Sequence, residues 1–525
     1  MIDKDTANTK FQSLMGINIS GLSVQEALDS VAQLIDLSGD FERTDGTDKA
    51  FQWLNEIEKH DLMSHQQALL DYYRSNAWSN RYMEKKGSVD IWNWEQPELQ
   101  EQISNLRKAL GNPSFFDLLD SDNEKKYKAC QRYTNLGNSL NTLGLFIQAN
   151  ECWEKAYLLD PRFIMAIGNR GYGINYFAYY LYNPEHQYVF MLMAHKFLKS
   201  SLEFLPRTVE ERNGQLKFDQ IIKKIESKFD TGFDFDKESR FAEYSLGDTS
   251  EEVEYRTWCL QHDLYINPLN DVLRESIAAS DILTIPPIIA SHDSDFPKNV
   301  IGFFNQIKQE FVSARWILFD AITSCEMHYS DSNVVLSDLN DAHAFCLAIE
   351  KTKLAFRSAY SLFDKISFMV NYYFDLNVKE RNVSFRRIWY VLNANSEFKL
   401  KSEFQNNKNW PLRALFWLSK ELYDKDFAFT LDPKAKELDD MRNALEHRAL
   451  RIQDYKTTDP YLGESIVRDE LQERTLRIFK LVRSAIIYLS LAINFEERRR
   501  SVEKGVNKSL IGEIELNSVR DDRKR

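Results

Sequence analysis

Residues 130–163 constrain the fold of this chain more than any other stretch. Large and small side chains recur along them at fixed spacing, at Tyr133, Leu136, Gly137, Leu140, Ala149, Trp153, Ala156 and Pro161. Small residues at Gly137 and Ala149 allow two antiparallel helices to approach closely, and Pro161 is suited to end the second helix. The spacing therefore predicts a helical hairpin.

The same spacing resembles the tetratricopeptide repeat (TPR), with Leu140 in place of the usual tyrosine. An isolated helical hairpin is the alternative. One repeat cannot bury both of its flanks, so a true repeat requires neighbours. Degenerate helical patterns at residues 66–83 and 167–205 supply them. We predict an N-terminal TPR-like α-solenoid over residues 20–206.

Composition limits the other possibilities. A chain of 525 residues exceeds one compact core, so about two or three domains are expected. The net charge of −12 disfavours a protein that coats nucleic acid non-specifically, but it allows a local basic site. Neither a signal peptide nor a membrane-spanning run is evident, so we expect a cytoplasmic protein with no membrane partner. Scattered cysteines predict reduced thiols, no metal site and no cofactor.

The rest of the chain divides by pattern. Residues 207–257 are rich in charges and turn formers, which is typical of a connector. An irregular, proline-containing segment follows, and strong helical patterns then occupy residues 303–322, 344–374, 411–424, 434–452 and 471–495. These patterns predict a helical bundle over residues 258–497, a charged tail over residues 498–525 and an all-α protein.

The helix predicted over residues 434–452 carries an unusual polar set. At about 100° per residue its apolar positions form one stripe, made of Leu438, Met441, Leu445, Ala449 and Ile452. His447 points roughly opposite this stripe, Asn443 lies one turn before it on the same face, and Arg442 lies on the flank. The alternative is that these residues have no function. In that case Arg442 and Glu446 form an exposed ion pair, and Asn443 and His447 are merely solvated.

Arg442 is followed by a polar residue, three further residues and then His447. This order resembles the RxxxxH motif of the HEPN superfamily (higher eukaryotes and prokaryotes nucleotide-binding). The segments "INPLND", "FFNQIKQEFVSARW" and "MRNALEHR" together resemble a bacterial branch whose members often carry helical repeats upstream. This resemblance covers roughly residues 258–495. It implies a HEPN-type helical bundle, and many members of the superfamily are metal-independent endoribonucleases.

The resemblance also implies roles for the three motif residues. His447 would take the proton from a ribose 2′-hydroxyl or return one to the leaving 5′-oxygen, because histidine exchanges protons near neutral pH. Arg442 would bind the scissile phosphate through its planar donor fork, and Asn443 would orient His447 or bind the phosphate. Attack by the 2′-hydroxyl leaves a 2′,3′-cyclic phosphate and needs no metal. Family enzymes place two motifs face to face, which implies a homodimer through the bundle.

One position departs from part of the family. Members that are paired with a nucleotidyltransferase antitoxin carry a tyrosine two residues after the histidine, whereas this chain has Ala449. We therefore do not expect control by modification of such a tyrosine.

A segment rich in cations and aromatic rings, residues 379–413, is the expected RNA-binding surface. Cations follow phosphates and rings stack on bases in proteins that bind single strands. The predicted RNA contacts, of which the first two are preferred, are Arg386, Arg387, Lys399, Lys401 and, beside the motif, Arg448. The alternative is a solvated surface with some of the rings in the core.

Two functions fit these patterns. The first is an endoribonuclease whose repeats sense a protein or peptide partner, as in the bacterial toxin and phage-defence proteins that the sequence resembles. The second is a non-catalytic adaptor or RNA-binding dimer. Because an adaptor needs neither Arg442 nor His447, their presence favours the ribonuclease. Solenoid repeats contact mainly their neighbours, so we expect the bundle to fold without residues 1–206.

Overall fold

The computed structural model describes residues 4–85, 92–115, 123–290, 294–324, 326–337, 342–393, 397–427, 430–457, 463–503 and 519–524. Helices dominate these ranges, and the strands in them form two small two-stranded sheets. The all-α class predicted from the sequence is therefore confirmed. No helix in the described ranges is long and apolar enough to cross a membrane.

The N-terminal half is a succession of antiparallel helices. They are α1 Lys4–Gly16, α2 Val24–Asp40, α3 Thr44–Ile57, α4 Ser64–Lys85, α5 Pro97–Gly111, α6 Asn123–Leu143, α7 Phe146–Leu159, α8 Ile164–Ala178, α9 Pro184–Leu202, α10 Val209–Glu226, α11 Phe235–Glu238 and α12 Ser250–Gln261. Helices α2 and α3, α4 and α5, α6 and α7, and α8 and α9 pack as consecutive hairpins. A helical repeat region is thus present where the sequence predicts one.

The hairpin of α6 and α7 shows why its small residues are needed. Trp153 of α7 is buried, and its indole N–H donates to Asn138 Oδ1 over 3.1 Å. A Cβ atom at Gly137 would lie 2.6 Å from Trp153 Nε1, and one at Gly173 of α8 would lie 2.3 Å from the same ring. The tryptophan therefore fills a gap that only glycine leaves open on both neighbouring helices.

The connector predicted over residues 207–257 is corrected by the structure. Its first part forms α10, which packs against α8 and α9. Phe218, Ile222 and Ile225 of α10 are buried in the core. Their spacing is that of one helical face, and the charged residues that suggested a linker surround it. Local charge density therefore concealed an amphipathic helix that extends the repeat region.

The C-terminal part is built from α13 Phe296–Thr323, α14 Leu347–Tyr373, α15 Trp410–Leu418, α16 Ala435–His447 and α17 Arg468–Glu503. Helix α17 packs against α13, α14 and α15. Strands β1 Tyr390–Leu392 and β2 Phe398–Leu400 pair antiparallel, and β3 Leu450–Gln453 and β4 Glu464–Val467 pair parallel. The tail predicted from residue 498 begins as the last part of α17, and residues 504–518 lie outside the described residues.

Helix α16 is shorter than the sequence predicts. The helix ends at His447, Arg448 is extended with φ −137° and ψ −158°, and β3 follows. The backbone of β3 pairs with β4, and the Ala344 N–H donates to the Ile452 carbonyl over 2.9 Å. Ile452 is therefore buried through this sheet and not through the predicted helical stripe. Ala344, one of the hydrogen-bonding partners that draw residues 450–453 into a strand, lies far away in sequence. The local apolar pattern therefore does not reveal this pairing.

One apolar core joins the repeats to the bundle. Phe146, at the start of α7, packs edge-on against Tyr488 of α17 with ring centroids 4.8 Å apart. The Tyr488 hydroxyl accepts from the Ile147 N–H over 3.0 Å. Helices α1 to α3 instead form a separate cluster together with part of α4. The expectation that the bundle folds without residues 1–206 stays a prediction, and the shared core argues against it because α6 and α7 complete the core of the bundle.

Two buried arginines hold the irregular segment that precedes α13. Arg483 of α17 lies 2.6 Å from Asp271 and donates to the Asn267 carbonyl over 2.9 Å. Arg315 of α13 makes two hydrogen bonds to Asp281, of 2.9 and 2.7 Å. Charges buried in this way need close partners, so these pairs fix the segment against the bundle. The motif segments "INPLND" and "FFNQIKQEFVSARW" are thus parts of the scaffold.

Candidate functional site

Helix α16 presents the motif residues by anchoring its opposite side. Leu438, Met441 and Ala444 are buried against the core of the bundle. The neighbouring positions Arg442 and Asn443 are half-buried. The apolar period of the helix therefore fixes which way its polar residues face, as the sequence predicts for this part of the stripe.

A chain of hydrogen bonds connects the polar residues of α16. Arg442 Nη2 donates to Asn443 Oδ1 over 2.9 Å, and Asn443 Nδ2 donates to Asp439 Oδ2 over 2.9 Å. The Arg442 guanidinium also lies 3.3 Å from Asp439 Oδ1. On its other side it stands 5.4 Å from the centre of the Tyr360 ring of α14. Arg442 thus pairs with Asp439 and not with Glu446, and its orientation is fixed from two sides.

His447 stands apart from this network. It is the last residue of α16, and its side chain is exposed. Five residues along a helix correspond to a rise of about 7.5 Å and a rotation of about 140° between Arg442 and His447. The two side chains therefore leave one helix in different directions. Asn443 is separated from His447 by only about 40° and shares its face.

A cleft with a volume of about 330 Å³ opens beside Arg442. Its walls come from α14, from α16, and from the two segments 384–387 and 422–425. Three carboxylates and several cations line it, namely Asp364, Asp424, Asp439, Arg386, Arg387, Lys425 and Arg442. Burial raises the pKa of Asp439 although Arg442 and Asn443 oppose the shift. The cleft is thus polar and mixed in charge, which favours a ligand with several hydrogen-bonding groups over a simple anion.

Residues 291–496 contain α13 to α16, most of α17 and this cleft. They match the LA2681-like HEPN family. The resemblance predicted from the RxxxxH motif is thereby confirmed. No curated protein matches the chain.

Two of the predicted RNA contacts are buried within the HEPN domain. Arg386 is 4% exposed, and its guanidinium donates to the carbonyls of Leu422 and Phe427. Burial lowers the pKa of Arg386 to about 10. Lys401 is 5% exposed, and burial lowers the pKa of its amine as well. Both cations support the fold from inside, so we remove them from the predicted RNA-binding set.

The other three predicted contacts remain accessible in the HEPN domain. Arg387 lines the cleft and pairs with Asp424 and Asp426, at 3.2 and 2.6 Å. Lys399 is exposed on β2. Arg448 is exposed directly after His447. Arg448 and His447 are therefore adjacent on the surface. Lys399 lies elsewhere, on the sheet formed by β1 and β2.

Several rings of the basic and aromatic segment belong to the core. Phe385, Trp389 and Phe404 are almost completely buried. Trp94 of the repeat region stacks on Phe404 with centroids 5.1 Å apart and an interplanar angle of 20°. The alternative in which some rings pack in the core is thus correct for these three. Trp389 and Phe404 contact Trp94 of the repeat region, and all three buried rings are unavailable to stack on bases.

The sequence did not identify the acidic wall of the cleft. Asp439 lies one turn before Arg442, so helical spacing was a usable signal for this pair. Tyr360 and Asp364 are one turn apart on α14, and Asp424 follows α15, with no local pattern that relates them to α16. Within the part of the chain that the structure describes, no three His, Cys, Asp or Glu side chains converge as metal ligands.

Proposed function

We propose that the protein is an endoribonuclease that cleaves RNA by attack of a 2′-hydroxyl on the adjacent phosphate, without a metal. The family match of residues 291–496 supports this in general, since HEPN domains are often ribonucleases. The observation that supports the finer proposal is the exposure of His447 on the same helix that fixes the guanidinium of Arg442. Neither side chain is needed to fill the core, which makes both available to a substrate.

In this proposal the exposed imidazole of His447 moves the proton. It takes the proton of the attacking 2′-hydroxyl or protonates the 5′-oxygen that leaves, and the product is a 2′,3′-cyclic phosphate. Arg442 stabilises the negative charge on the phosphate through its donor fork. Asn443 and Asp439 hold that fork in place. Asn443 therefore acts as a positioning residue for Arg442 in this scheme.

We further propose that a homodimer completes the site. Arg442 and His447 diverge by about 140° around α16, so a second copy is required to bring a histidine opposite each arginine. Strand β3 begins only a few residues after His447, and the segment around Ala344 is hydrogen-bonded to it. Phe345 in that segment is an exposed apolar side chain. This surface offers a contact for the partner close to the motif.

In solution the full chain should have twice its monomer mass of 61.7 kDa. Light scattering at micromolar concentration measures this directly. Phe345→Asp should shift the protein toward the monomer and reduce cleavage, because a charge replaces an apolar contact. Leu205→Asp is the matched control, since Leu205 is 90% exposed at the end of α9. A monomer that cleaves RNA normally would contradict the composite site.

We propose that the repeats regulate this site when a protein or peptide partner binds, in a toxin or anti-phage role. Arg107 of α5 lies 2.6 Å from Glu421 and 4.0 Å from Asp432. Asp432 also pairs with Arg477 of α17. These ion pairs connect a repeat helix to the segment that leads into α16. Movement of α5 would therefore be transmitted to the start of the motif helix.

Incubation of the full-length protein with total RNA in EDTA tests the reaction. The expected products carry 2′,3′-cyclic phosphate ends, which are identified by their resistance to phosphatase until acid opens the ring. Linear 3′-phosphate or 5′-phosphate ends formed from the start would contradict the mechanism. Intact RNA under all conditions would favour the alternative function, an adaptor or RNA-binding dimer.

A further inference from the structure

We propose that the cleft beside Arg442 is a guanine-binding subsite, so that the protein cleaves single-stranded RNA next to a guanosine. This inference rests on the proposed ribonuclease function, because it assigns the cleft to a base of the same substrate. It is carried by polar groups among the described residues of the cleft that can accept or donate further hydrogen bonds, and by the chemistry that would satisfy them together.

Two of the three carboxylates in the cleft are already paired. Asp424 binds Arg387, and Asp439 binds Arg442 and Asn443. Asp364 differs from them because it forms no ion pair among the described residues. The donor that contacts it there is the backbone N–H of Phe385. Asp364 therefore has capacity for further hydrogen bonds, because an ionised carboxylate offers about four acceptor sites.

Two hydroxyl groups in the same cleft are also available. Ser384 Oγ is shielded from solvent and has no hydrogen-bond partner among the described residues. Tyr360, one turn before Asp364 on α14, contacts its neighbours through its ring. A buried polar atom without a partner destabilises the fold, so the serine hydroxyl points to a ligand that satisfies it.

Guanine is the base that matches this set. Its N1–H and exocyclic amino group are adjacent donors that one carboxylate can accept together, whereas adenine, cytosine and uracil each present a single such donor group. Its O6 atom lies beside N1 and accepts a hydrogen bond, which the Ser384 or Tyr360 hydroxyl can donate.

The electrostatics of Asp364 agree with this assignment. Asp364 is exposed, but the surrounding protein partly desolvates its carboxyl and raises its pKa, and Arg442 opposes this only in part. The Phe385 N–H and the Arg442 charge compensate the ionised form only in part, so its carboxylate can accept from further donors. Two N–H groups of a bound guanine would supply them.

The size and position of the cleft fit one base attached to a phosphate at Arg442. Its volume of about 330 Å³ lies at the lower end of the range for small-molecule sites, which is about 300–1,000 Å³. The Tyr423 ring and the Arg387 guanidinium line it and offer flat surfaces on which bases stack. Arg442 lines the same cleft, so a phosphate at its fork would place the neighbouring base at the entrance.

The test uses the full-length protein and short single-stranded RNAs of adenosine that carry one central guanosine, inosine or adenosine. Inosine lacks only the exocyclic amino group of guanine. The wild-type protein should cleave the guanosine RNA about tenfold or more faster than the other two, since a bidentate base contact has an effect of this size. In Asp364→Asn the guanosine and inosine RNAs should be cleaved at similar rates.

Asp375→Asn is the matched control. Asp375 is exposed after the far end of α14 and has φ 51°, a backbone conformation that asparagine also adopts. This variant should keep the wild-type preference for guanosine. Equal cleavage of the three RNAs by the wild-type protein would overturn the guanine subsite and leave the ribonuclease function intact. An equal loss for all three RNAs in Asp364→Asn would overturn it as well.

Failure of the proposed function is distinguishable from failure of the subsite. If the wild-type protein cleaves no RNA, fluorescence anisotropy with the same RNAs, carrying a 2′-deoxynucleotide at the central position, decides the subsite. Tighter binding of the guanine RNA than of the hypoxanthine RNA, lost in Asp364→Asn, would support it. Equal affinities would overturn it.

Discussion

Replacing His447 with alanine should reduce RNA cleavage by about 10²- to 10⁴-fold while the melting temperature stays nearly unchanged. The side chain is exposed at the end of α16 and fills no part of the core. Truncation of an exposed side chain usually changes the free energy of unfolding by only about ±0.5 kcal/mol. Initial cleavage rates and thermal melts on the same preparation separate a lost proton transfer from a damaged fold.

The matched control for this substitution is His65→Ala. His65 is also an exposed histidine, but it lies at the start of α4 in the repeat region. Its replacement should leave both the cleavage rate and the melting temperature unchanged. Wild-type cleavage by the His447 variant would remove this residue from the catalytic assignment, even with the family membership of the domain intact.

Arg442 needs a gentler substitution than His447. Its side chain is 40% exposed, pairs with Asp439 and packs on Tyr360, so alanine would remove structural contacts together with the charge. Arg442→Lys keeps the positive charge but loses the planar donor fork that holds a phosphate through two bonds. Cleavage by this variant should therefore fall strongly while the fold is retained.

Removing residues 1–206 should leave a protein that does not unfold cooperatively, because the truncation takes away part of a shared core. The ring of Phe146 and the backbone of Ile147 contact Tyr488 of the central helix α17, and Trp94 covers Phe404. Without them, the buried faces of α15 and α17 would be exposed to water. Circular dichroism melts and the soluble yield of the truncated protein measure the effect.

A shorter truncation, of residues 1–62, provides the comparison. It removes α1 to α3, whose buried residues form a cluster of their own with part of α4. The remaining chain keeps the core that α4 to α17 share, so it should melt cooperatively and should still cleave RNA. A stable, cooperatively folded fragment starting at residue 207 would contradict the shared core and restore the independent bundle expected from the sequence.

Features with a strong local period were predictable. The pairing of α6 with α7 around Gly137, and the long helices α13, α14 and α17, follow from apolar spacing that repeats over many residues. The exposure of His447 follows from the same arithmetic on α16. Helix α10 was missed because its three large, buried apolar side chains are outnumbered by charged residues, which dominate the average hydropathy of the segment.

The candidate site was predictable only in part. Arg442, Asn443 and His447 form a short motif on one helix, so sequence spacing identified them. The predicted cations Arg386 and Lys401 are buried, although charged residues seldom are. Nothing local distinguishes them from the exposed Lys399 or Arg448, since the carbonyls that Arg386 binds lie more than thirty residues away.

The sequence by itself determined the helical class, the repeat hairpin and the helix that carries the motif, because each depends on side chains a few residues apart. Tertiary structure alone decided where α16 ends, since the partners of β3 come from β4 and Ala344. It also decided that the repeats and the HEPN domain share a core, and that Asp364 of α14 faces Arg442 of α16 across one cleft. These features depend on contacts between distant parts of the chain, and a local period carries no information about such contacts.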